Sequence, residues 1–315
     1  MPAITASAPG KVILFGEHAV VYGRPAIAVP VTEVRARAIV RADPRGAPGS
    51  IRIQAPAIGL EAQLADLPLE HPLAAAVQGV LSTLSVTRPP ACTLRVTSTI
   101  PLASGLGSGA AVSVAILRAL SAFLGRPLSD KQVSALAFEV EKLHHGTPSG
   151  IDNTVITYAM PVYFVRGQPI QTLHVARPFT IVIGDTNIPS PTAIAVGDVR
   201  RRWEENPTHY ETLFDSAGQI ALLARRAIES GLPEQLGALM DANHSLLQEM
   251  AVSSPELDRL VTAARASGAL GAKLSGGGRG GNMIALATHE TAPVIAGALS
   301  AAGASRTIVT AVRSK

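Results

Sequence analysis

Two carboxylates that could do chemistry stand close together in residues 141–153, which read EKLHHGTPSGIDN. Glu141 belongs to a predicted helix, and Asp152 follows after a turn rich in Gly, Pro and Ser. A carboxylate at a helix end can hold a hard cation such as Mg²⁺, which prefers protein oxygens and substrate phosphates. The second carboxylate would then be free for proton transfer, although a capped loop without a function fits these residues equally well.

The adjacent histidines His144 and His145 suggest a zinc site at first sight. Neighbouring positions on a helix point about 100° apart. The sequence contains no second pair with the spacing of zinc ligands. Oxygen ligands therefore fit this stretch better than zinc.

A glycine-rich loop, SGLGSG at residues 104–109, follows a predicted strand and opens a predicted helix, 110–124. The first N–H groups of a helix have no intrahelical partner, and together with the helix dipole they form a site for anions. Glycines allow the backbone to wrap around a phosphate. Ser104 and Ser108 add hydroxyl donors. A tight turn without a ligand is the alternative.

The same loop fits the loose dinucleotide fingerprint through Gly105, Gly107 and Ala110. That fingerprint needs a second strand ending in an acid about 20 residues later. Asp130 has the spacing but starts a predicted helix without a strand before it, which disfavours a Rossmann dehydrogenase. The sequence lacks G-x-x-x-x-G-K-[ST], which excludes a P-loop protein.

A second glycine-rich stretch, KLSGGGRGG at residues 273–281, holds five glycines around Arg279. A turn needs one or two glycines. Five indicate a backbone that comes close to a ligand or to another part of the chain.

Lys11, Glu17 and His18 stand in an otherwise apolar stretch, SAPGKVILFGEHAVVYG at residues 7–23. Buried charges are costly unless they are paired. A lysine and an acid that come close favour each other's charged form, which keeps the carboxylate ionised. These residues favour a functional role for the acids at 141 and 152.

Together these stretches resemble the GHMP small-molecule kinase superfamily, and within it the branch that phosphorylates mevalonate. The three motifs of the superfamily occur in order, at residues 7–23, 101–115 and 273–285. HGTPSGIDN at 145–153 matches HGxPSG[VI]DN, the signature of the mevalonate branch. The resemblance implies an α+β fold of two lobes, the N-terminal one like ribosomal protein S5 domain 2 and the C-terminal one ferredoxin-like.

The resemblance also implies ATP-dependent phosphorylation of the 5-hydroxyl of mevalonate to 5-phosphomevalonate, with ATP and Mg²⁺ as cofactors. Phosphomevalonate, galactose or homoserine kinase is the alternative, and a ligand sensor without activity is a rival of another class. Asp152 would be the catalytic aspartate, Lys11 its cationic partner and Glu141 the Mg²⁺ carboxylate. The residues implied to bind ATP are Pro101, Ser104, Gly105, Leu106, Gly107, Ser108, Gly109 and Ala110. The residues implied on the substrate side are Glu17, His18, His145, Ser149, Thr192, Ser275, Gly276 and Gly277.

Two positions depart from the superfamily pattern. The loop reads GLGSGAA where GLGSSAA is common, so Gly109 replaces a serine that usually supplies a hydroxyl to the metal. Ser108 or a water molecule is expected to complete the Mg²⁺ site instead. Arg279 replaces a glycine of the third motif and either reaches a phosphate or points to solvent.

The elements that position these residues follow from periodicity. Residues 32–40 alternate apolar and charged side chains, as a half-buried strand does. Ser129 and Gln132 form a capping pair before a helix whose predicted buried face is Val133, Leu136, Val140 and Leu143.

After residue 178, the order of strands and helices predicts helices packed on one face of an antiparallel sheet. The predicted helices of this part are 211–229, 233–250, 255–267 and 291–302. We place the lobes at residues 1–175 and 176–315.

Composition limits the remaining possibilities. The chain has 315 residues, 47% of them hydrophobic, and can therefore bury a large core. Its net charge is only +4 and its arginines are scattered, which disfavours a surface that binds nucleic acid. The single cysteine, Cys92, excludes an intramolecular disulfide and is expected in the core. The N-terminus lacks the pattern of a secretory signal, and the apolar run AAVSVAILRAL is too short to span a bilayer. We therefore expect a soluble cytoplasmic protein that binds no membrane, and the resemblance implies a homodimer.

Overall fold

The computed structural model describes residues 3–101, 104–145, 148–169, 171–190 and 192–314, without the side chains of residues 144 and 145. The chain forms two compact units that alternate along the sequence. The first unit consists of Met1–Gly10, Val34–Pro101 and Gly107–Ala159, and the second of Lys11–Glu33, Leu102–Leu106 and Met160–Lys315. The lobe boundary placed at residue 175 stays a prediction.

Five strands begin the chain, and the first two of them continue from one unit into the other. They are β1 (Ile4–Phe15), β2 (Ala26–Ala42), β3 (Ile51–Ala55), β4 (Leu60–Gln63) and β5 (Cys92–Ser98). In the first unit β5 pairs antiparallel with β2 and parallel with β3, which pairs antiparallel with β4. Along β2 the apolar residues at even positions 34–40 are buried, while Glu33, Arg35 and Arg37 are exposed. The predicted half-buried strand is confirmed.

The helices of the first unit pack against one another. They are α1 (Pro72–Thr83), α2 (Ser108–Phe123), α3 (Asp130–His145) and α4 (Ile151–Tyr158). α2 contacts the other three helices. The predicted capping pair of α3 is present, since the Gln132 N–H donates to Ser129 Oγ over 3.4 Å and the Ser129 N–H donates to Gln132 Oε1 over 3.0 Å.

The buried face of α3 differs from the predicted one near its C-terminal end. Val133 and Val140 are buried as expected, but Leu143 is 47% exposed and Glu141 only 5% exposed. Val133, Ala137, Val140 and Glu141 follow the i, i+4, i+7, i+8 spacing of one helix face, so this face ends at Glu141. The predicted burial of Leu143 is therefore wrong.

The remaining elements belong to the second unit. They are β6 (Val162–Phe164), β7 (Gln171–Thr172), β8 (Phe179–Asp185), α5 (Thr192–Glu205), α6 (Pro207–Glu229), α7 (Leu236–Glu249), α8 (Pro255–Ala266), β9 (Gly271–Ser275), β10 (Asn282–Ala287), α9 (Ala292–Ala301) and β11 (Arg306–Val312). β6 pairs with the first residues of β2 and with β7. β11, β8, β10 and β9, in this order, form an antiparallel sheet.

One face of this antiparallel sheet packs against helices. Val182, Leu274 and Met283 of three neighbouring strands share an apolar core with residues of α6, α8 and α9. Because successive residues of a strand face opposite sides, Lys273 lies on the other face, next to Ile284 of β10. The predicted α+β class, with helices on one face of an antiparallel sheet, is confirmed.

Two expectations from composition can be compared with the fold. Cys92 is 2% exposed, and burial raises the pKa of its thiol to about 11, so it is the core residue that was expected. Within the described ranges, no helix combines the length and the apolar character that crossing a bilayer requires.

Candidate functional site

The glycine turn predicted to hold phosphates joins β5 to α2. Its backbone is left-handed at Gly105, with φ of 83°, and at Gly107, with φ of 72°. Residues with a Cβ are disfavoured in this conformation, which accounts for both glycines. Gly107 is the N-cap of α2 and offers no side chain to the first N–H groups of the helix. N–H groups in this position bind anions readily.

The first half of this turn is fixed to other elements of the second unit. The Lys11 N–H in β1 donates to the carbonyl of Leu106 over 3.0 Å. Asn282 Nδ2, at the start of β10, donates to the carbonyl of Ser104, which is itself buried. Of the flanking predicted residues, Pro101 is half-buried before the turn and Ala110 is buried in α2. The turn is therefore held at its backbone, and its predicted contact with ATP stays a prediction.

The second half of the turn lies beside Glu141. A Cβ on Gly109 would stand 3.4 Å from Glu141 Oε1, an ordinary van der Waals distance. Ser108, the other predicted metal residue, precedes Gly109 as the first residue of α2. A serine at position 109 would therefore bring its hydroxyl next to the carboxylate that is predicted to hold Mg²⁺.

Asp152 lies in the first turn of α4, after the N-cap Gly150. Its neighbour Asn153 is buried and donates through Nδ2 to the Ser134 carbonyl over 3.1 Å and to Ser134 Oγ over 3.0 Å. These bonds fix α4 against α3, the helix that carries Glu141. Both predicted carboxylates therefore stand on neighbouring helices of the first unit.

Two residues predicted on the substrate side precede α4. Ser149 is half-buried, and its Oγ accepts a hydrogen bond from the Ile151 N–H over 3.3 Å, which shapes the start of the helix. The side chain of His145 lies outside the described residues. The predicted contacts of both with a substrate stay predictions.

Glu17 is held by a lysine that sequence reasoning missed. Lys273 Nζ donates to Glu17 Oε1, and both side chains are 0% exposed. Burial raises the pKa of Glu17, and the charge of Lys273 opposes that rise more strongly than the charge of Lys11 does. Burial also lowers the pKa of Lys273, against the effect of Glu17. Of the two lysines, Lys273 opposes the rise more strongly, and the pKa of Glu17 still lies above its ordinary value.

His18 is anchored through one ring nitrogen. Its Nε2 lies 3.1 Å from the carbonyl of Gly277, so Nε2 carries the proton and donates it to this acceptor. Burial lowers the pKa of His18 to about 4, which leaves the ring neutral at pH 7 with Nδ1 as an acceptor. The backbone φ of 60° is uncommon for a residue with a Cβ and is typical of strained functional positions.

A second buried histidine, His244 of α7, is also neutral. Its Nδ1 accepts from the Leu274 N–H over 3.3 Å, and its Nε2 donates to Asp258 Oδ1 over 3.2 Å. Burial lowers its pKa to about 4, against the opposing charge of Asp258.

The pKa of His244 predicts a loss of stability in acid. His244 takes up a proton near pH 6.5 in the unfolded chain but only near pH 4 in the folded chain. The contribution of neutral His244 to the free energy of unfolding is therefore complete above pH 6.5 and declines as the pH falls below it. Between pH 7 and pH 5 the free energy of unfolding falls by about 2 kcal/mol for such a group. Urea unfolding at both pH values should show that His244→Gln removes this part of the decline. The exposed His289→Gln should keep it, and an unchanged decline in His244→Gln would contradict the assignment.

The backbone of the glycine segment, residues 276–281, comes close to other parts of the second unit. A Cβ on Gly278 would lie 1.9 Å from the carbonyl oxygen of Val252, and one on Gly280 would lie 2.6 Å from that of Ile188. A Cβ on Gly276 would have no described atom within 4 Å, so the surroundings of this residue are open. Close packing within the second unit therefore requires two of these glycines. Of the two alternatives from the sequence, a ligand or another part of the chain, these two glycines fit the second.

Thr192 and Ser275 connect this glycine segment to other parts of the site. A Cβ on Gly277 would lie 3.0 Å from Thr192 Oγ1 at the start of α5. Ser275 Oγ donates to the Ile13 carbonyl over 2.8 Å and accepts from the Ile13 N–H over 3.2 Å. The predicted substrate-side residues Glu17, His18, Thr192, Ser275 and Gly277 are therefore close together in the second unit.

Arg279 makes an ion pair that the sequence did not indicate. Its guanidinium binds the carboxylate of Asp198 on α5, and this hydrogen bond lowers the pKa of Asp198. Its own backbone is left-handed, with φ of 59°, and its N–H donates to the Val252 carbonyl over 2.8 Å. Arg279 therefore ties the glycine segment to the helix that begins at Thr192.

Comparison with known proteins places these features in a family. The family described as GHMP kinases N terminal domain matches residues 73–160, and GHMP kinases C terminal matches residues 224–305. The mevalonate kinase of Pyrococcus abyssi is 39% identical over 304 residues, which cover 90% of this chain and 88% of the relative. The mevalonate kinase of Thermococcus onnurineus is 38% identical, over 95% of this chain and 93% of the relative. The crystal structure of L. major mevalonate kinase in complex with R-mevalonate is similar at a TM-score of 0.86 and 32% identity, covering 99% of this chain and 96% of that chain.

Proposed function

Because the chain belongs to the GHMP kinase family, and within it to the mevalonate kinases, we propose that it transfers the γ-phosphoryl group of ATP to the 5-hydroxyl of mevalonate. The product is 5-phosphomevalonate. The observation that carries this proposal is the likeness, along nearly the whole chain, to the L. major enzyme solved with R-mevalonate. The cluster of Glu17, His18 and Thr192 around the glycine segment adds support, because these polar groups offer hydrogen bonds to a small hydroxylated substrate.

Phosphoryl transfer depends mainly on positioning and on charge stabilisation. We assign Asp152 to orient the substrate hydroxyl and to accept its proton. Lys11 contributes positive charge against the charge that develops on the phosphoryl group. The turn at 104–110 holds the phosphates through its N–H groups and the start of α2.

The residues present fit a magnesium ion. Glu141 supplies a carboxylate oxygen, the kind of ligand that Mg²⁺ prefers, and its Oε1 stands beside the start of α2, where Ser108 adds a hydroxyl. When bound, Mg²⁺ would neutralise charge on phosphate oxygens. Gly109 removes the hydroxyl that the superfamily pattern places at this position, so water is expected to complete the ligand set.

Restoring that hydroxyl should strengthen the metal site. In Gly109→Ser the new side chain starts 3.4 Å from Glu141 Oε1, where its hydroxyl can act as a ligand. We expect the Mg²⁺ concentration for half-maximal ADP release to fall by about three- to tenfold. Gly109→Ala adds the Cβ without the hydroxyl and is the matched control. Equal values for the serine and alanine variants would show that position 109 supplies no ligand.

A coupled ADP-release assay tests the proposed function. Mevalonate, 5-phosphomevalonate, galactose and homoserine are compared at the same enzyme and ATP concentrations, and we expect kcat/KM to be highest for mevalonate. A higher value for another acceptor would assign the chain to another GHMP kinase activity. ADP release that no acceptor stimulates would favour a ligand sensor without activity.

The homodimer and the cytoplasmic location implied by the resemblance complete the proposal. Sedimentation equilibrium tests the first, since a dimer has twice the 32.5 kDa mass of one chain. Fractionation of cells that produce the protein tests the second.

A further inference from the structure

Lys273 has no role among the predicted site residues, although it is fully buried. It stands on the face of the antiparallel sheet opposite the core shared with α6, α8 and α9. There its Nζ donates to Glu17 Oε1 and, over 2.7 Å, to the carbonyl of Leu274. Both side chains of the ion pair are 0% exposed.

Stability alone does not account for this ion pair. Removing two charges from water costs free energy that their attraction often fails to recover. Well-packed apolar residues of similar volume are often as stabilising or more so. The position of the pair, next to predicted substrate residues, points to binding instead.

Glu17 and His18 are arranged alike, and this arrangement suggests a function for the ion pair of Lys273 and Glu17. In each, one polar atom is anchored to the segment 273–277, namely Glu17 Oε1 to Lys273 and His18 Nε2 to Gly277. The second polar atom of each, Glu17 Oε2 and His18 Nδ1, is buried without a hydrogen-bond partner in the described part of the protein. Buried polar atoms normally have a partner. Two adjacent acceptors match a ligand that brings hydroxyl donors, and mevalonate carries two hydroxyl groups.

We propose that Lys273 is a positioning residue for the substrate, which holds the Glu17 side chain oriented so that Oε2 accepts a hydrogen bond from a substrate hydroxyl. This inference rests on the proposed phosphorylation of mevalonate. The ammonium of Lys273 is bonded to Glu17 and to the Leu274 carbonyl, so its proposed effect on the substrate passes through the carboxylate.

The charge of Lys273 also affects the pKa of Glu17. Burial favours the neutral acid, and Lys273 provides the strongest opposing charge, with a smaller one from Lys11. Among the described residues, the other titratable groups around the pair are His18, next in the chain, and His244 of α7 with its partner Asp258. Without the ammonium this opposing charge is lost, so the pKa of Glu17 rises further and Oε2 is less readily a charged acceptor.

Lys273→Met tests the proposal, because methionine keeps most of the volume and removes the charge. At pH 7 we expect KM for mevalonate to rise by about 10- to 100-fold, the value of a hydrogen bond to a charged group. KM for ATP should stay unchanged and kcat should change little. KM for mevalonate in this variant should then decrease as the pH is raised from 6 to 9, because higher pH favours the ionised carboxylate. Leu274→Met, on the opposite face of the same strand, controls for repacking and should behave as wild type.

The double variant Glu17→Gln with Lys273→Met removes both charges and keeps the test decisive if the single variant does not fold. We expect its KM to be raised at every pH, without the fall toward pH 9. A wild-type KM in the double variant, or a raised KM without pH dependence in a folded Lys273→Met, would overturn the proposal. Wild-type protein that fails to phosphorylate mevalonate would instead overturn the proposed function, and the role of Lys273 with it.

Discussion

Replacing Asp152 by asparagine lowers kcat by about 10²- to 10⁴-fold if this carboxylate accepts the proton of the substrate hydroxyl. Asparagine has nearly the same shape but cannot take up the proton. Asn153, which is unchanged in this variant, forms bonds that fix α4 to α3, so the fold should persist. Affinity for ATP, measured by equilibrium binding, should stay within a small factor of wild type.

Asp130→Asn is the matched control for this experiment. Asp130 also lies in the first turn of a helix, α3, and its exposed carboxylate binds Arg118 over 2.6 Å. Exposed ion pairs contribute about 0–1 kcal/mol, so both kcat and stability should change little. If Asp152→Asn retained near wild-type turnover, Asp152 could not be the proton acceptor.

Gly278→Ala should be the most destabilising single change in the glycine segment. The added Cβ would lie 1.9 Å from the Val252 carbonyl oxygen, and the backbone φ of 77° is unfavourable for alanine. Strain and overpacking together should reduce the free energy of unfolding by about 3–5 kcal/mol. Moving this segment should also raise KM for mevalonate, because the Gly278 carbonyl accepts from Ser190 Oγ over 2.7 Å beside Thr192.

Gly276→Ala separates the two causes. Its φ of 94° is equally unfavourable, but no described atom lies within 4 Å of the added Cβ. Only the conformational strain of about 1–2 kcal/mol should appear. Urea unfolding of both variants measures the difference, and equal losses would show that the contact with Val252 is not what requires glycine at 278.

Elements with a regular pattern could be predicted from the sequence. The alternation along β2 and the capping pair Ser129–Gln132 depend on neighbouring residues only, and both are confirmed. The helices after residue 206 were predicted nearly in full, because their apolar residues repeat with the helical period over many turns.

Two helices that carry predicted site residues, α4 and α5, were not predicted. The eight residues of α4, IDNTVITY, are rich in β-branched side chains, which favour strands. Hydrogen bonds to other elements, such as those from Asn153 to Ser134, stabilise the helical conformation of these residues. α5 starts at Thr192 and has only two fully buried apolar residues, so its hydrophobic period is weak.

The chemistry of the site was predicted residue by residue, but its pairings were not. Glu17 in an apolar stretch indicates that a partner is needed, and Lys273 is the only lysine between Lys142 and Lys315. Composition could have suggested this pair. Nothing local could have located it, because the two residues are 256 positions apart in the sequence. Arg279 was uncertain for the same reason, since its partner Asp198 lies 81 positions away.

The bonds between residues 13–18 and residues 273–277 also constrain how the protein is made. Ser275 and Ile13 are 262 positions apart, and His18 and Gly277 are 259 apart. A ribosome adding about 5–20 residues per second needs roughly 13–50 seconds to supply these late partners to the early strand. During that time Glu17 has no Lys273 to bind, and its apolar neighbours have no finished sheet to cover them. A nascent chain released before residue 277 would therefore lack the Gly277 carbonyl that anchors His18, however well its earlier helices had folded.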